Sequence, residues 1–243
     1  MLKLIKADLY KSFHRMYLYI FTCVMCAFAI LYNVIVASAN APLEAAFGSV
    51  VIFLAFPLFL VVMFVDIVTA EENKEHTMKN TISFGISRSK LFIAKNISTV
   101  LVAAAVAAVT LAVFFGSGFL LLVPGKGYTP AFMSDLLLRI SIALLLYVAA
   151  ITLGTLLAIV IKRNAMFTFA YFGILVVPSL LLKLLSLVNP IFGNARNALL
   201  YSQAQILAQA TPAEMLMAVW IALAHIVVFV VLGLILFNRQ EIN

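Results

Sequence analysis

Six long apolar runs, at residues 16–39, 47–70, 97–123, 136–161, 165–188 and 215–237, leave this chain few ways to fold. Each reaches the ~20 residues that a helix rising ~1.5 Å per residue needs to cross a hydrocarbon layer ~30 Å thick. The expected class is all-α, a polytopic membrane protein with six transmembrane helices. Composition agrees: 65% hydrophobic residues against 10% charged leave too little polar surface to coat a water-soluble globule. The longest segments between runs, residues 71–96 and 189–214, are too short for a soluble domain with its own core. The first run exceeds the apolar stretch of a cleavable leader and is expected to stay in the membrane.

Orientation follows from the cations. Lys3, Lys6, Lys11, Arg15, Lys74, Lys79, Arg88, Lys90, Lys95, Lys162, Arg163 and Arg239 fall on one side of a six-span layout, whereas only Lys126 and Arg196 fall on the other. The positive-inside rule puts the cation-rich side, and with it both termini, in the cytoplasm. This bias and anionic headgroups account for the formal net charge of +7, so membrane lipid is the expected neighbour and no nucleic acid is implied. The expected location is the cell (plasma) membrane.

Residues 1–15 read as a separate amphipathic, interfacial helix ahead of a transmembrane domain over 16–243. At 100° per residue Leu2, Ile5, Leu9, Phe13 and Met16 share a stripe about 80° wide, with Lys3, Lys11, His14 and Arg15 opposite. Such a helix lies along the inner membrane surface, with Lys3, Lys6, Lys11 and Arg15 available to headgroups or to a cytoplasmic partner. Cys23 and Cys26 stand three apart inside the first run, where they read as small apolar residues on one helix face.

The segment 71–96 is the most patterned part of the chain. Glu71, Glu75 and Lys79 are spaced i, i+4, i+8 in the favourable acidic-to-basic order for a helix. Gly85 suits the positive φ of a helix end and Ser87 the cap of a helix that runs through Arg88, Leu91 and Lys95 into span three. An acidic pair, Glu71 and Glu72, followed by Glu75-x-Thr77-Met78-Lys79-x-x-x-Ser83 and then Ser87-Arg88-Ser89-Lys90 leading to Lys95, resembles the E-x-G-T-[LM]-[KR] loop of ABC-2-type permeases. These are the membrane subunits of ATP-binding-cassette exporters. His76 stands where that family often has Gly, and Gly85-Ile86-Ser87 replaces its proline-containing turn.

The resemblance implies that Glu71, Glu72, Glu75, Thr77, Met78, Lys79, Ser83 and Arg88 couple the chain to a separate ATPase. It also implies two ATPase subunits, a second permease copy or a paralogue, a bacterial inner (cytoplasmic) membrane, and export of a hydrophobic or amphipathic substrate such as a peptide, an antibiotic or a lipid. The chain itself then is no enzyme and has no cofactor or metal; ATP and Mg belong to the partner. Consistent with this, Gly125-Lys126-Gly127 lacks the first Gly and the Ser/Thr of a phosphate-binding loop.

Asp66, Arg139, Lys183 and His225 are the polar residues at membrane depth, where a charge is costly. The first three lie within a turn or so of a span end and can snorkel, and His225 is more central. Alanines 103, 104, 105, 107 and 108 permit close helix approach, and Pro57 and Pro178 are expected to kink spans two and five. The outer connection 189–214 fits either one or two short helices dipping into the outer leaflet or an ordinary surface loop. A proton-coupled secondary transporter would call for acidic residues near the midplane, and a structural or immunity-type membrane protein would need no ATPase.

Overall fold

The computed structural model describes residues 1–70, 82–161 and 163–239, and the predicted coupling residues Glu71, Glu72, Glu75, Thr77, Met78 and Lys79 lie outside them. Among the described residues the regular structure is helical. Helix α1 covers Leu2–Phe13 and α2 covers Met16–Ser38. A broken helix follows, α3 over Leu43–Ile52 with a 3-10 turn at Phe53–Ala55, then α4 over Pro57–Val65 ending in a π-turn at Asp66–Ala70. Beyond these come α5 (Arg88–Leu121), α6 (Pro130–Val160), α7 (Asn164–Leu185), the short α8 (Ile191–Asn197) and α9 (Leu200–Ile206), and α10 (Pro212–Arg239).

Five of these helices, α2, α5, α6, α7 and α10, are long and apolar enough to cross a membrane, and α3 with α4 forms a sixth such element bent by 57°. The chain is an all-α, multi-pass membrane protein. The bend has a local cause. Pro57 has no N–H to offer Phe53 and its ring crowds that carbonyl, so the chain tightens to a Phe56 N to Phe53 O bond of 2.9 Å and restarts with Pro57 in the first helical turn. Pro178, by contrast, lies inside an uninterrupted α7.

Helix starts follow the same chemistry. Thr129 caps α6 by accepting from Phe132 N at 3.2 Å, one residue before Pro130. Thr211 and Glu214 form a reciprocal capping box around Pro212, the Glu214 carboxylate accepting from Thr211 N at 2.7 Å and Thr211 Oγ1 accepting from Glu214 N at 3.4 Å.

Helix α6 is the centre of the bundle. Every residue from Ala149 through Ile159 is buried, as expected of a helix apolar on all sides. Around it pack α10, α4, α7 and α5. The outward faces of α2, α7 and α10 stay apolar and exposed, with Phe28, Phe169 and Trp220 each more than 60% exposed. In hydrocarbon such faces meet lipid rather than water.

Candidate functional site: a braced break between two polar ends

The break in the second span is held by two tyrosines from neighbouring helices. Tyr147 of α6 donates to Leu54 O at 2.6 Å, just before the break, and Tyr171 of α7 donates to Leu58 O at 2.8 Å, just after it. A kink exposes carbonyls that a regular helix would cover, and at membrane depth no water replaces the lost partner. Tyr147→Phe and Tyr171→Phe are each expected to lower stability by about 1–3 kcal/mol. Unfolding of the detergent-purified chain would measure this, and no loss in either variant would mean that the break holds itself.

At the amino-terminal end of α5 a polar joint ties three elements together. Lys95 is 1% exposed; its Nζ donates to Asp8 Oδ1 of α1 at 2.6 Å and to Val68 O of the π-turn at 3.1 Å. Ser98 Oγ donates to the other carboxylate oxygen of Asp8 at 3.2 Å. One buried ammonium thus joins the amino-terminal helix, the start of α5 and the turn that leads into residue 71. Helix α1 is rotated accordingly. Ser12 and Asp8 turn inward, about 60–100° round the helix from the centre of the apolar stripe, and Leu2 and Met16 of that stripe are left 82% and 78% exposed.

The described part of the segment before α5 behaves as its residues predict. Gly85 takes a φ of +84°, a conformation that a side chain would strain. Ser87 occupies the N-cap with extended backbone but contributes no side-chain cap bond. Arg88 instead reaches the carboxyl end of α10, donating to Asn238 O at 3.0 Å and Phe237 O at 3.4 Å. Ser89 and Asn238 bond side chain to side chain beside it. Ser83 is exposed, and next to it Phe84 is 86% exposed, an apolar ring that the motif did not single out.

The opposite end is closed by different contacts. Glu44, in the first turn of α3, accepts from Gly125 N at 2.9 Å and Gly127 N at 3.0 Å. A Cβ at Gly125 would lie 2.4 Å from that carboxylate, so the glycines serve a loop clamp and not a phosphate cradle. Helix α9 dips into the bundle, with Ser202 fully buried and hydrogen-bonded to Ser179 of α7 at 2.8 Å, and with the Tyr201 ring 5.7 Å from Phe59. Arg139 pins its far end by donating to Leu207 O while pairing with Asp135 at 2.7 Å.

The remaining membrane-depth residues are dispersed. Lys183 is exposed, and His225 donates from Nδ1 to Ile221 O at 2.8 Å within its own helix. Asp66 lines a shallow recess of about 450 Å³ between α4 and α7, with Phe59, Met63 and Phe169. Of the predicted interfacial cations, Lys3 and Lys6 are exposed and Lys11 and Arg15 are half-buried. Among the described residues no three His, Cys, Asp or Glu side chains gather into a metal site. No family model and no curated protein matches the chain.

Proposed function

We propose that this chain is the membrane subunit of an ATP-binding-cassette exporter. The reading counts the bent α3–α4 pair as one of six spans, so that both termini share a side, and the distribution of cations supports taking that side as the cytoplasm. Two copies, or this chain and a paralogue, pair with two ATP-binding subunits and move a hydrophobic or amphipathic molecule, such as a peptide, an antibiotic or a lipid, out of the cell. A two-fold pair is the commonest symmetric arrangement. ATP hydrolysis belongs to the partner, and this chain supplies the pathway and the coupling surface.

The observation that carries this reading is how the segment resembling the ABC-2 coupling loop is anchored. Its upstream root is bonded to Lys95 through Val68, and its downstream root is bonded to the last turn of α10 through Arg88. A push on residues 71–86 therefore reaches α1, α4, α5 and α10 through direct contacts. A loop that only connected two spans would need no such anchorage. Phe84, exposed beside the acidic motif, is a natural anchor for a groove on a partner, since buried aromatics dominate such contacts.

The test is to look for an ATP-binding-cassette ATPase in the reading frames beside this chain and to coexpress the two; a neighbourhood without one would weigh against the reading. A complex of two permease and two ATPase subunits is expected by mass. Reversing the charge of Glu71, Glu72 and Glu75 together, or replacing Phe84→Asp, should leave the chain inserted while reducing substrate-stimulated ATP hydrolysis to the level of the ATPase alone. Unchanged assembly and unchanged coupling in both variants would refute the reading.

A further inference from the structure

Between α2, the broken span, α5 and α6 lies a cavity of about 530 Å³. Its wall on α5 runs from Val100 to Phe114 and on α2 from Phe21 to Tyr32. At ~1.5 Å per residue those walls are about 21 and 16 Å long, so the cavity is a slot lying along the spans. Alanines 103, 104 and 107 leave the space, since each withholds the volume that a leucine would fill. The alanine run thus does more than let helices approach.

The lining decides what can enter. Among the described residues no charged side chain contributes to it. Its polar side chains are few: Ser49 donates to Ala46 O, the Tyr147 hydroxyl is engaged with Leu54 O, Tyr32 adds a second phenol, and Thr110 Oγ1 has no partner among the described residues. A cavity with walls of this kind stays dry and takes apolar matter, and its volume falls within the ~300–1,000 Å³ of ordinary ligand pockets. Phe28, Phe53, Phe56 and Leu144, which are 63%, 57%, 52% and 40% exposed, form a rim that opens sideways. In a membrane-spanning chain that direction faces hydrocarbon. The length of one leaflet's chains, about 15 Å as half of a ~30 Å layer, matches the slot.

We propose that the slot is a resident site for one acyl chain of a membrane phospholipid. The chain lies along the spans and against the break at Phe56, beside the Tyr147 hydroxyl that braces it and away from Tyr171, which is outside the lining. Lipid is the occupant rather than cargo because the slot opens to the bilayer and its described lining offers only a few uncharged hydroxyls, none able to neutralise a headgroup or a charged drug. The inference requires only that the chain spans a membrane and is independent of the exporter proposal.

The test is to purify the chain in a mild detergent, exchange the detergent exhaustively, and quantify retained phospholipid by mass spectrometry. Wild type should keep one phospholipid per chain. Ala107→Phe, which pushes a ring into the slot, should lower retention about tenfold, equivalent to displacing roughly two methylenes. Ala108→Phe, on the neighbouring exposed position outside the lining, should leave retention unchanged.

A second readout does not depend on the filled variant folding. With Trp220→Phe removing the native tryptophan, Leu111→Trp should be quenched by phospholipid brominated along its acyl chain and not by aqueous iodide. Equal retention in the two phenylalanine variants, or a slot tryptophan that iodide quenches and brominated lipid does not, would overturn the proposal. So would a slot filled by a non-lipid molecule or by a second copy of this chain.

Discussion

Lys95→Ala is expected to lower the stability of the chain by about 3–5 kcal/mol, because it breaks a buried ion pair and leaves a carboxylate behind. Lys95 is 1% exposed and Asp8 11%, and the pair sits at 2.6 Å between helices 87 residues apart in sequence. Without the ammonium, Asp8 loses its 2.6 Å charge-assisted bond while the Ser98 hydroxyl still donates to it, and Val68 O loses the Lys95 donor. Asp8→Ala should cost less, since Lys95 retains the Val68 carbonyl. Midpoints of chemical unfolding in detergent, measured for both variants, check the order.

The double replacement Asp8→Leu with Lys95→Met separates stability from function. Replacing both charges of a buried pair with apolar side chains of similar volume is often neutral or stabilising, so this variant should unfold near wild type. The bond between Lys95 and the π-turn is nevertheless gone, and on the coupling proposal substrate-stimulated ATP hydrolysis should fall while the complex still assembles. Exchanging the charges, Asp8→Lys with Lys95→Asp, restores the pair but cannot restore a donor to Val68 O from α5, so it should recover stability only in part. If the apolar pair couples as well as wild type, the joint is structural alone.

The architecture is legible in sequence where it depends on short-range rules. The apolar runs fix the spans because hydrocarbon thickness sets a minimum helix length, and Pro57 and Gly85 act on their own backbones. The pattern between Asn189 and Glu214 admits one or two short helices or an ordinary loop, and the structure has two helices, of which only α9 is buried, beside the break. Ser87 marks the start of a new helix in the 71–96 segment, and α5 runs unbroken from Arg88 to Leu121.

Long-range pairing was not legible. Nothing in the periodicity of residues 1–15 says that Asp8, flanking the apolar stripe, meets Lys95, which by position alone is one more cytoplasmic cation. Arg139 likewise read as a snorkelling residue, and only the placement of α9 gives it Leu207 O to hold. The slot was hidden for another reason. Alanines at helical spacing are compatible with tight contact and with a void, and which one results is decided by the bend at Pro57 on the facing span. Asn33 of α2 is a further case: fully buried within the first apolar run, it donates to Phe114 O at 2.7 Å and Ser117 Oγ at 2.8 Å across 81 and 84 residues.

Gly233→Leu is expected to disrupt the contact between α10 and the start of α5 more than any other single addition of side-chain volume. An ideal Cβ at Gly233 would stand 2.2 Å from Cζ of Phe92 and within 2.8 Å of both its Cε atoms. The Phe92 ring is fully buried and cannot swing into open space. Overpacking of this kind costs about 1–3 kcal/mol, sometimes more. Any leucine in a helix interior recovers up to roughly 0.8 kcal/mol through its better helix propensity, so the net effect remains a loss.

The contact is reciprocal, so the cure should lie on the other helix. Phe92→Leu on its own leaves a cavity beside Gly233 and should destabilise; combined with Gly233→Leu, the two changes exchange volume across one interface. A favourable coupling of about 0.5–3 kcal/mol in the double-mutant cycle is expected for residues in direct contact. Because Arg88 holds the carbonyls at the end of the same helix, an interface opened by Gly233→Leu should also weaken the anchorage of the segment before α5, and the double variant should restore both. Additive losses in the cycle would show that Phe92 and Gly233 do not meet, and on the coupling proposal would remove α10 from the contacts that link the segment before α5 to the bundle.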